Sequence, residues 1–147
     1  MRLGELTYPN NPKIHDDRKV IKITSLKITE QQYKFFLPGH KADRFFEGNN
    51  IIIRRQNSVH DPLKHFGLYI LSRYAHFPLS SKLWLTSSGR IPTRSFFMNR
   101  IQKFFDSSVA GQSMHAGGAT HLTEQGVAPA IIQAIGCWAT DTFQIYI

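Results

Sequence analysis

The last part of the chain, from Gly111 to Ile147, carries residues whose types and spacing could do chemistry. Gln112 and His115 are three residues apart, so a helix would place both side chains on one face. Small residues fill positions 116–120, and Tyr146 stands next to the last residue. A tyrosine hydroxyl can act as a nucleophile, and amide or imidazole groups can donate hydrogen bonds to an anionic substrate.

This segment resembles the active-site block of the tyrosine recombinases, the phage-integrase family of DNA breaking-rejoining enzymes. In that family a His-x-x-Arg motif opens a helix and small residues follow. An Ile-Ile-Gln helix and a Gly-x-Trp or Gly-His motif then precede the tyrosine nucleophile. The matching positions here are 116–120, Gly126-Val127, 131–134 and Gly136, with Tyr146 in the place of the nucleophile.

Further pieces of the chain match the same family in the same order. Arg2 and Glu5 have the Arg-x-x-Glu spacing of its first catalytic arginine and acidic neighbour, and Lys41 lies in an expected turn between strands, as its catalytic lysine does. The His or Trp position of the family falls on Cys137 by count and on Trp138 by residue type, and we take Trp138. The resemblance implies a supporting role for Glu5 and these catalytic positions: Tyr146, Arg2, Lys41, Gln112, His115 and Trp138.

The chemistry that the resemblance implies is attack by the Tyr146 hydroxyl on a DNA phosphodiester, which leaves a 3′-phosphotyrosine and a free 5′-hydroxyl. The transition state spreads negative charge over the non-bridging oxygens, and guanidinium groups suit it because they stay charged and bind two oxygens. Lys41 would protonate the leaving oxygen as a general acid. This reaction needs no metal or cofactor, and we expect none, since the seven histidines lack metal-ligand spacing.

The chain departs from the family at its His-x-x-Arg motif, which reads Gln112-x-x-His115. Gln112 can still donate a hydrogen bond to a phosphate oxygen, but it cannot carry a proton. His115 is shorter than arginine, mostly neutral at pH 7 and offers no fork. Because the loss of one transition-state donor typically costs about 10²–10³ in rate, we expect reduced or absent activity.

The charge of the chain favours a polyanionic partner. Eighteen Lys and Arg against ten acidic residues give a net charge of +8, and we expect double-stranded DNA as the ligand. The alternative for any single cation is a solvated surface charge. Contacts to phosphates position a protein on DNA without reading sequence, and the candidates for them are Arg54, Arg55, Arg94 and Arg100.

Composition also bears on location. Cys137 is the single cysteine, so no disulfide can form within the chain, and a reducing compartment is expected. We expect an intracellular protein, located in the nucleus if the host is eukaryotic. No membrane partner is expected, because the chain has no run of about 18 apolar residues and no apolar stretch typical of a signal peptide at its start.

The elements predict one α+β domain over residues 1–147, with a small three-stranded antiparallel sheet followed by helices. The strands are expected at 19–29, 33–37 and 51–53, from apolar alternation and β-branched residues. Three helices are expected at 62–74, 93–105 and 113–125, and a last short helix is expected around Tyr146. Asp61 caps the first of them, Thr93 caps the second, and Gly126 ends the third. A further helix starts at Pro129, with inward-facing positions at Ile131, Ile132 and Ile135.

We expect this domain to be a fragment of the mobile-element type. Tyrosine recombinases usually carry a DNA-clamping domain before the catalytic one, and a segment after the tyrosine that docks on another protomer, and the chain has room for neither. The resemblance still allows other recombinase protomers as partners, beside double-stranded DNA. Two alternatives remain beside a weakened recombinase. One is a non-catalytic DNA-binding module. The other is a relic that does not fold alone, because residues such as Phe96, Phe97, Phe104 and Phe105 would lack apolar partners.

Overall fold

The computed structural model describes residues 2–39, 47–136 and 138. The chain divides into two compact units: a terminal unit made of Met1–Lys13 with Thr93–Ile147, and a central unit, Ile14–Pro92. The fold class is α+β, as predicted, with a three-stranded antiparallel sheet and five α-helices. The assignment of the chain to a single domain stays a prediction.

The sheet of the central unit is formed by β1 (Lys27–Ile28), β2 (Gln32–Leu37) and β3 (Asn49–Arg54), in the order β1-β2-β3. Both pairings are antiparallel, so the second and third predicted strands are confirmed. Tyr33, Phe35 and Leu37 alternate along β2 and are buried, which makes one face of the sheet the core face.

Helix α2 (Pro62–His76) covers that core face. It begins as predicted, because the Asp61 side chain accepts a hydrogen bond from the backbone N–H of Leu63 at 3.1 Å and Pro62 occupies the first turn. Its Phe66 ring stacks on Tyr33 with a centroid separation of 3.8 Å. Trp84 packs against the rings of Phe35, Phe66 and Tyr69 at 5.4–5.8 Å, so aromatic contacts form this core.

The expected strand over 19–29 is wrong for most of its length. Three-residue 3₁₀ turns occupy Asp17–Lys19 and Ile23–Ser25, and strand pairing with β2 is limited to Lys27–Ile28. Side chains bond to the local backbone instead, since Asp16 accepts from the N–H of Arg18 and the Ser25 hydroxyl donates to the carbonyl of Lys22. The apolar alternation reflects burial of Val20 and Ile21 rather than a continuous strand.

The terminal unit contains α1 (Leu3–Leu6), α3 (Arg94–Ile101), α4 (Ser113–Glu124) and α5 (Pro129–Gly136). Helix α3 starts as expected, with the Thr93 hydroxyl accepting from the N–H of Phe96 at 3.2 Å. It ends four residues before the predicted Phe105, in i to i+3 turns. Phe104 is 83% exposed and Phe105 is 58% exposed, so no burial stabilises a longer helix.

Helices α4 and α5 pack together through Ala119 and Ile132, which are both buried. Gly126 ends α4 as predicted, with a φ of 72°. Its N–H donates to the carbonyl oxygen of Thr123, and the N–H of Val127 donates to the carbonyl oxygen of Leu122. The inward-facing set on α5 is partly wrong. Ile132 is buried, but Ile131 and Ile135 are more than half exposed, and among the described residues α5 packs chiefly against α4.

The helices in the described residues all fall short of the length and apolar character needed to cross a membrane.

Arg73 on α2 is a buried cation with a structural role. Its side chain is 2% exposed, and its guanidinium donates to the carbonyl oxygens of Ser80 and Lys82, the latter at 2.7 and 3.1 Å. These bonds satisfy carbonyls in the segment that follows α2, so Arg73 holds that segment against the helix.

We predict that Arg73→Leu lowers the free energy of unfolding by about 2–4 kcal/mol, because it leaves buried carbonyls unsatisfied. Urea denaturation measures this change. The matched control is Arg90→Leu, at an exposed arginine of the same unit, which should change stability by less than about 0.5 kcal/mol. Equal losses in the two variants would contradict the structural role of Arg73.

Candidate functional site

The candidate site lies at the beginning of α4, in the terminal unit. Gln112 is the N-cap residue of this helix and is exposed, and His115 follows three residues later, half-buried. The imidazole of His115 lies against the indole of Trp138, with 4.2 Å between ring centroids and 31° between ring planes. The predicted helical face therefore exists, and Trp138 covers part of it.

Trp138 reaches this position because Gly136 has no side chain. A Cβ at position 136 would overlap the ring of Trp138, so this position of the ring requires a residue without a Cβ there. Trp138 also packs on the buried pair of Ala119 and Ile132. The same contact that joins α4 to α5 thus sets the indole beside His115.

An apolar cavity of about 240 Å³ opens beside His115. This volume is below the range of about 300–1,000 Å³ that is common for small-molecule sites, so it suits a side-chain-sized group better than a cofactor. The principal wall residues, apart from His115 and Trp138, come from four helices and are Leu3, Leu6, Phe97, Met114, Leu122, Ile132 and Ile135.

The environment of His115 lowers its pKa below the ordinary value of 6.5, mainly through desolvation of the imidazole and also through the positive charge of Arg2. Glu5 and the backbone of Gly136 act in the opposite direction. The Nε2 atom is buried and has no hydrogen-bond partner of normal geometry among the described residues. His115 is therefore held neutral at pH 7, and it cannot supply the charge of an arginine.

Arg2 and Glu5 stand at the other end of the sequence but within electrostatic reach of His115. Arg2 is the N-cap residue of α1, and the Glu5 carboxylate accepts a hydrogen bond from the backbone N–H of Arg2 at 2.6 Å. Arg2 has an extended backbone, and the helix begins at Leu3. The predicted positions Arg2, Glu5, His115 and Trp138 thus lie in one region.

Arg94 also comes to this region, which the sequence pattern did not indicate. Gly111 directly precedes Gln112, and a Cβ on Gly111 would lie 3.6 Å from the Nη2 atom of Arg94. The backbone N–H of Arg94 donates to the carbonyl of Tyr8 at 2.9 Å, which ties the start of α3 to the N-terminal segment. Arg100 of the same helix has a different setting, with its guanidinium 5.2 Å from the ring centre of Phe96.

The remaining predicted residues are not part of this arrangement. Arg54 and Arg55 belong to the central unit, at the end of β3, where Arg55 forms an ion pair with Asp61 at 3.6 Å. Lys41, Tyr146 and Cys137 lie outside the described residues, as does the expected last helix. In the described part of the chain, no group of His, Cys, Asp or Glu residues is placed to hold a metal ion.

Comparison with known proteins adds no relative: no family model, no curated protein and no solved structure matches the chain.

Gly111 is a second residue that the sequence pattern did not single out. Its close packing predicts that alanine at position 111 and alanine at position 117 change stability in opposite directions. A Cβ on Gly111 would lie 2.9 Å from Cδ2 of Leu3, whereas a Cβ on Gly117 of α4 would meet nothing within 4 Å. We predict that Gly111→Ala destabilises the protein by about 1 kcal/mol, the low end of the range for overpacking, because the end of the Leu3 side chain must shift. Gly117→Ala should stabilise it by about 0.5–1 kcal/mol through helix propensity. Thermal unfolding of both variants checks this, and equal shifts would contradict the close packing of Gly111 on α1.

The lowered pKa of His115 predicts a pH-dependent stability. Its folded pKa lies below the unfolded value of about 6.5, so the folded state binds fewer protons between the two values. Stability is therefore complete above about pH 6.5 and falls as the pH drops toward the folded pKa. His115→Gln, which cannot titrate, should lose less stability than the natural chain between about pH 7.5 and 5.

Urea midpoints across this range measure the difference, and an NMR titration locates the His115 pKa directly. An identical pH profile for the two proteins, or a His115 midpoint above about 6.5, contradicts the desolvated environment.

Proposed function

We propose that the chain is a DNA-binding domain of the tyrosine recombinase type, in which strand breakage through Tyr146 is the ancestral activity and is weakened or lost. The observation that carries this proposal is the grouping of Arg2, Glu5, His115 and Trp138 at the beginning of α4. The family pattern assigns these positions to one active site, although more than a hundred residues separate Glu5 from Trp138. A resemblance by chance gives no reason for them to meet.

In the proposed reaction the Tyr146 hydroxyl attacks phosphorus and releases its proton to water, a Tyr–O–P bond forms and the bond from phosphorus to the 5′-oxygen breaks. Lys41 gives its proton to the leaving 5′-oxygen. Arg2 would stabilise charge on a non-bridging oxygen, and Gln112, which is exposed at the beginning of α4, would donate a neutral hydrogen bond. Trp138 then packs the imidazole at position 115 and excludes water from it.

Position 115 is where the proposed activity is weakened. A charged, forked donor belongs there in the family pattern, but the imidazole of His115 is desolvated, and its pKa is lowered rather than raised. A neutral ring cannot balance the charge that develops on the phosphate. On the scale of about 10²–10³ in rate for one lost donor, strand breakage would be slow or absent.

The neutral state of His115 also favours a second function, that of a DNA-binding module without strand breakage. Binding through phosphates requires cations rather than a working active site, and the chain has a net charge of +8. Such a module would bind duplex DNA with an affinity that falls steeply as salt increases, and it would form no covalent adduct. Either function would be exercised inside the cell, where the DNA is.

The test is covalent capture of the protein on a nicked suicide DNA substrate, followed by denaturing electrophoresis. We predict little or no adduct with the natural chain. The double variant Gln112→His with His115→Arg should raise the adduct yield by about 10²-fold or more, because an arginine at 115 can lie over the Trp138 ring and supply a fork. Tyr146→Phe in the restored chain should abolish the adduct and serves as the matched control.

Absence of an adduct in the restored chain, if that chain unfolds cooperatively and binds DNA, overturns the recombinase proposal and leaves the binding module. A strong adduct with the natural chain contradicts the weakening assigned to His115.

A further inference from the structure

We propose that the open face of the β1–β3 sheet, opposite the face covered by α2, binds a nucleic-acid backbone. Lys34 on β2 lies directly opposite Lys27 on β1 and Ile52 on β3. Arg54 on β3 lies opposite Gln32, which is two residues before Lys34 on β2. Direct cross-strand partners share a face, and Tyr33, Phe35 and Leu37 occupy the other one. Lys27, Lys34 and Arg54 are therefore gathered on the open face.

The pairing of Lys27 with Lys34 is unfavourable for the fold alone. Like charges directly opposite each other on neighbouring strands are destabilising, and the three strands contain no Asp or Glu. Lys27, Lys34 and Arg54 form no ion pair with any residue in the described part of the chain. A row of phosphates would neutralise this surface, so a polyanionic ligand gives the arrangement a physical reason.

The geometry fits a chain of anions better than an isolated one. Directly opposite residues have Cβ atoms about 4.5–5.5 Å apart and diagonal ones about 7–8 Å apart, so the three cations form a short track across the sheet. Arg55, the next residue after Arg54, forms an ion pair with Asp61 at 3.6 Å. Of the two neighbouring arginines, Arg54 is the one available to a phosphate.

Apolar surface lies beside these cations, at Ile52 opposite Lys34 and at Phe36 two residues further along β2. Ile52 is 52% exposed, and Phe36 is held over Gly48, where a Cβ would overlap its ring and where φ is +67°. Sugars and bases of a nucleic acid can pack on such groups while the phosphates meet the cations. This combination distinguishes the surface from a site for inorganic phosphate.

The inference rests on the proposed function for the identity of the ligand, DNA, but the surface belongs to the central unit and not to the His115 site. The first variant is Lys27→Glu, which replaces a like-charge pair by an opposite-charge pair. We expect its thermal midpoint to rise while its affinity for a short fluorescent DNA duplex falls by about tenfold at low salt. Its matched control is Lys64→Glu, at an exposed lysine on α2 with the same change in net charge, which should lose clearly less affinity.

The second variant, Lys34→Gln with Arg54→Gln, should reduce the slope of log K against log salt by about two, one for each lost phosphate contact. Binding of a single strand of the same sequence is measured in parallel and decides which form of DNA the surface prefers. Equal affinities for Lys27→Glu and Lys64→Glu, or an unchanged salt slope in the double variant, overturn the inference.

These outcomes are separable from those of the proposed function. Loss of DNA binding in the sheet variants, with no adduct in any restored chain, supports the surface and removes the recombinase. The opposite outcome is an adduct in the restored chain that Lys34→Gln with Arg54→Gln does not affect, together with an unchanged salt slope. It supports the recombinase and removes the sheet surface. A natural chain that binds neither duplex nor single strand removes both.

Discussion

The terminal unit depends on the packing of α4 against α5 through Ala119 and Ile132. Each side chain is small or fully buried, so the helices meet closely, and Trp138 packs across the contact. Trp138 closes it and brings its ring to His115. Every property assigned to His115 follows from this contact, because the indole and the cavity walls remove water from the imidazole and lower its pKa.

The central unit contains positive charges of two kinds. Arg73 is buried in the central unit and bonds to backbone carbonyls, so its charge serves the fold. Lys27, Lys34 and Arg54 are kept on one face of the same unit without acidic partners in the strands, at a cost to stability. A chain with a net charge of +8 therefore contains structural cations as well as cations that the fold alone does not account for. Charge counting cannot separate these classes, but burial and strand register can.

The elements with strong local signals were predictable from the sequence. Asp61 with Pro62, Thr93, and Gly126 set helix ends through bonds to the nearest backbone groups, and the alternation over 33–37 required one buried face. The run 19–29 was not predictable in this way, because its alternation was also compatible with 3₁₀ turns whose side chains bond locally. The prediction of the buried positions on α5 was partly wrong for a related reason. The spacing of the three isoleucines fits an inward face, but only Ile132 among them is buried.

The candidate site was predictable in part. The spacing of Gln112 and His115 placed them on one face, and the resemblance linked them to Arg2, Glu5 and Trp138. The approach of Arg94 to Gly111 depends on tertiary contacts through Tyr8 and Leu3, which no local pattern encodes. The desolvation of His115 likewise arises from residues distant in sequence.

Positions from both ends of the sequence lie around His115, and nuclear Overhauser contacts are a direct measurement of this arrangement. We expect cross-peaks between the ring protons of Trp138 and those of His115, and between Trp138 and the methyl groups of Ala119 and Ile132. Contacts between the methyls of Leu3 and the α protons of Gly111 should accompany them. A folded chain whose Trp138 ring shows contacts to other residues but none to His115 would contradict the site on which the proposed function rests.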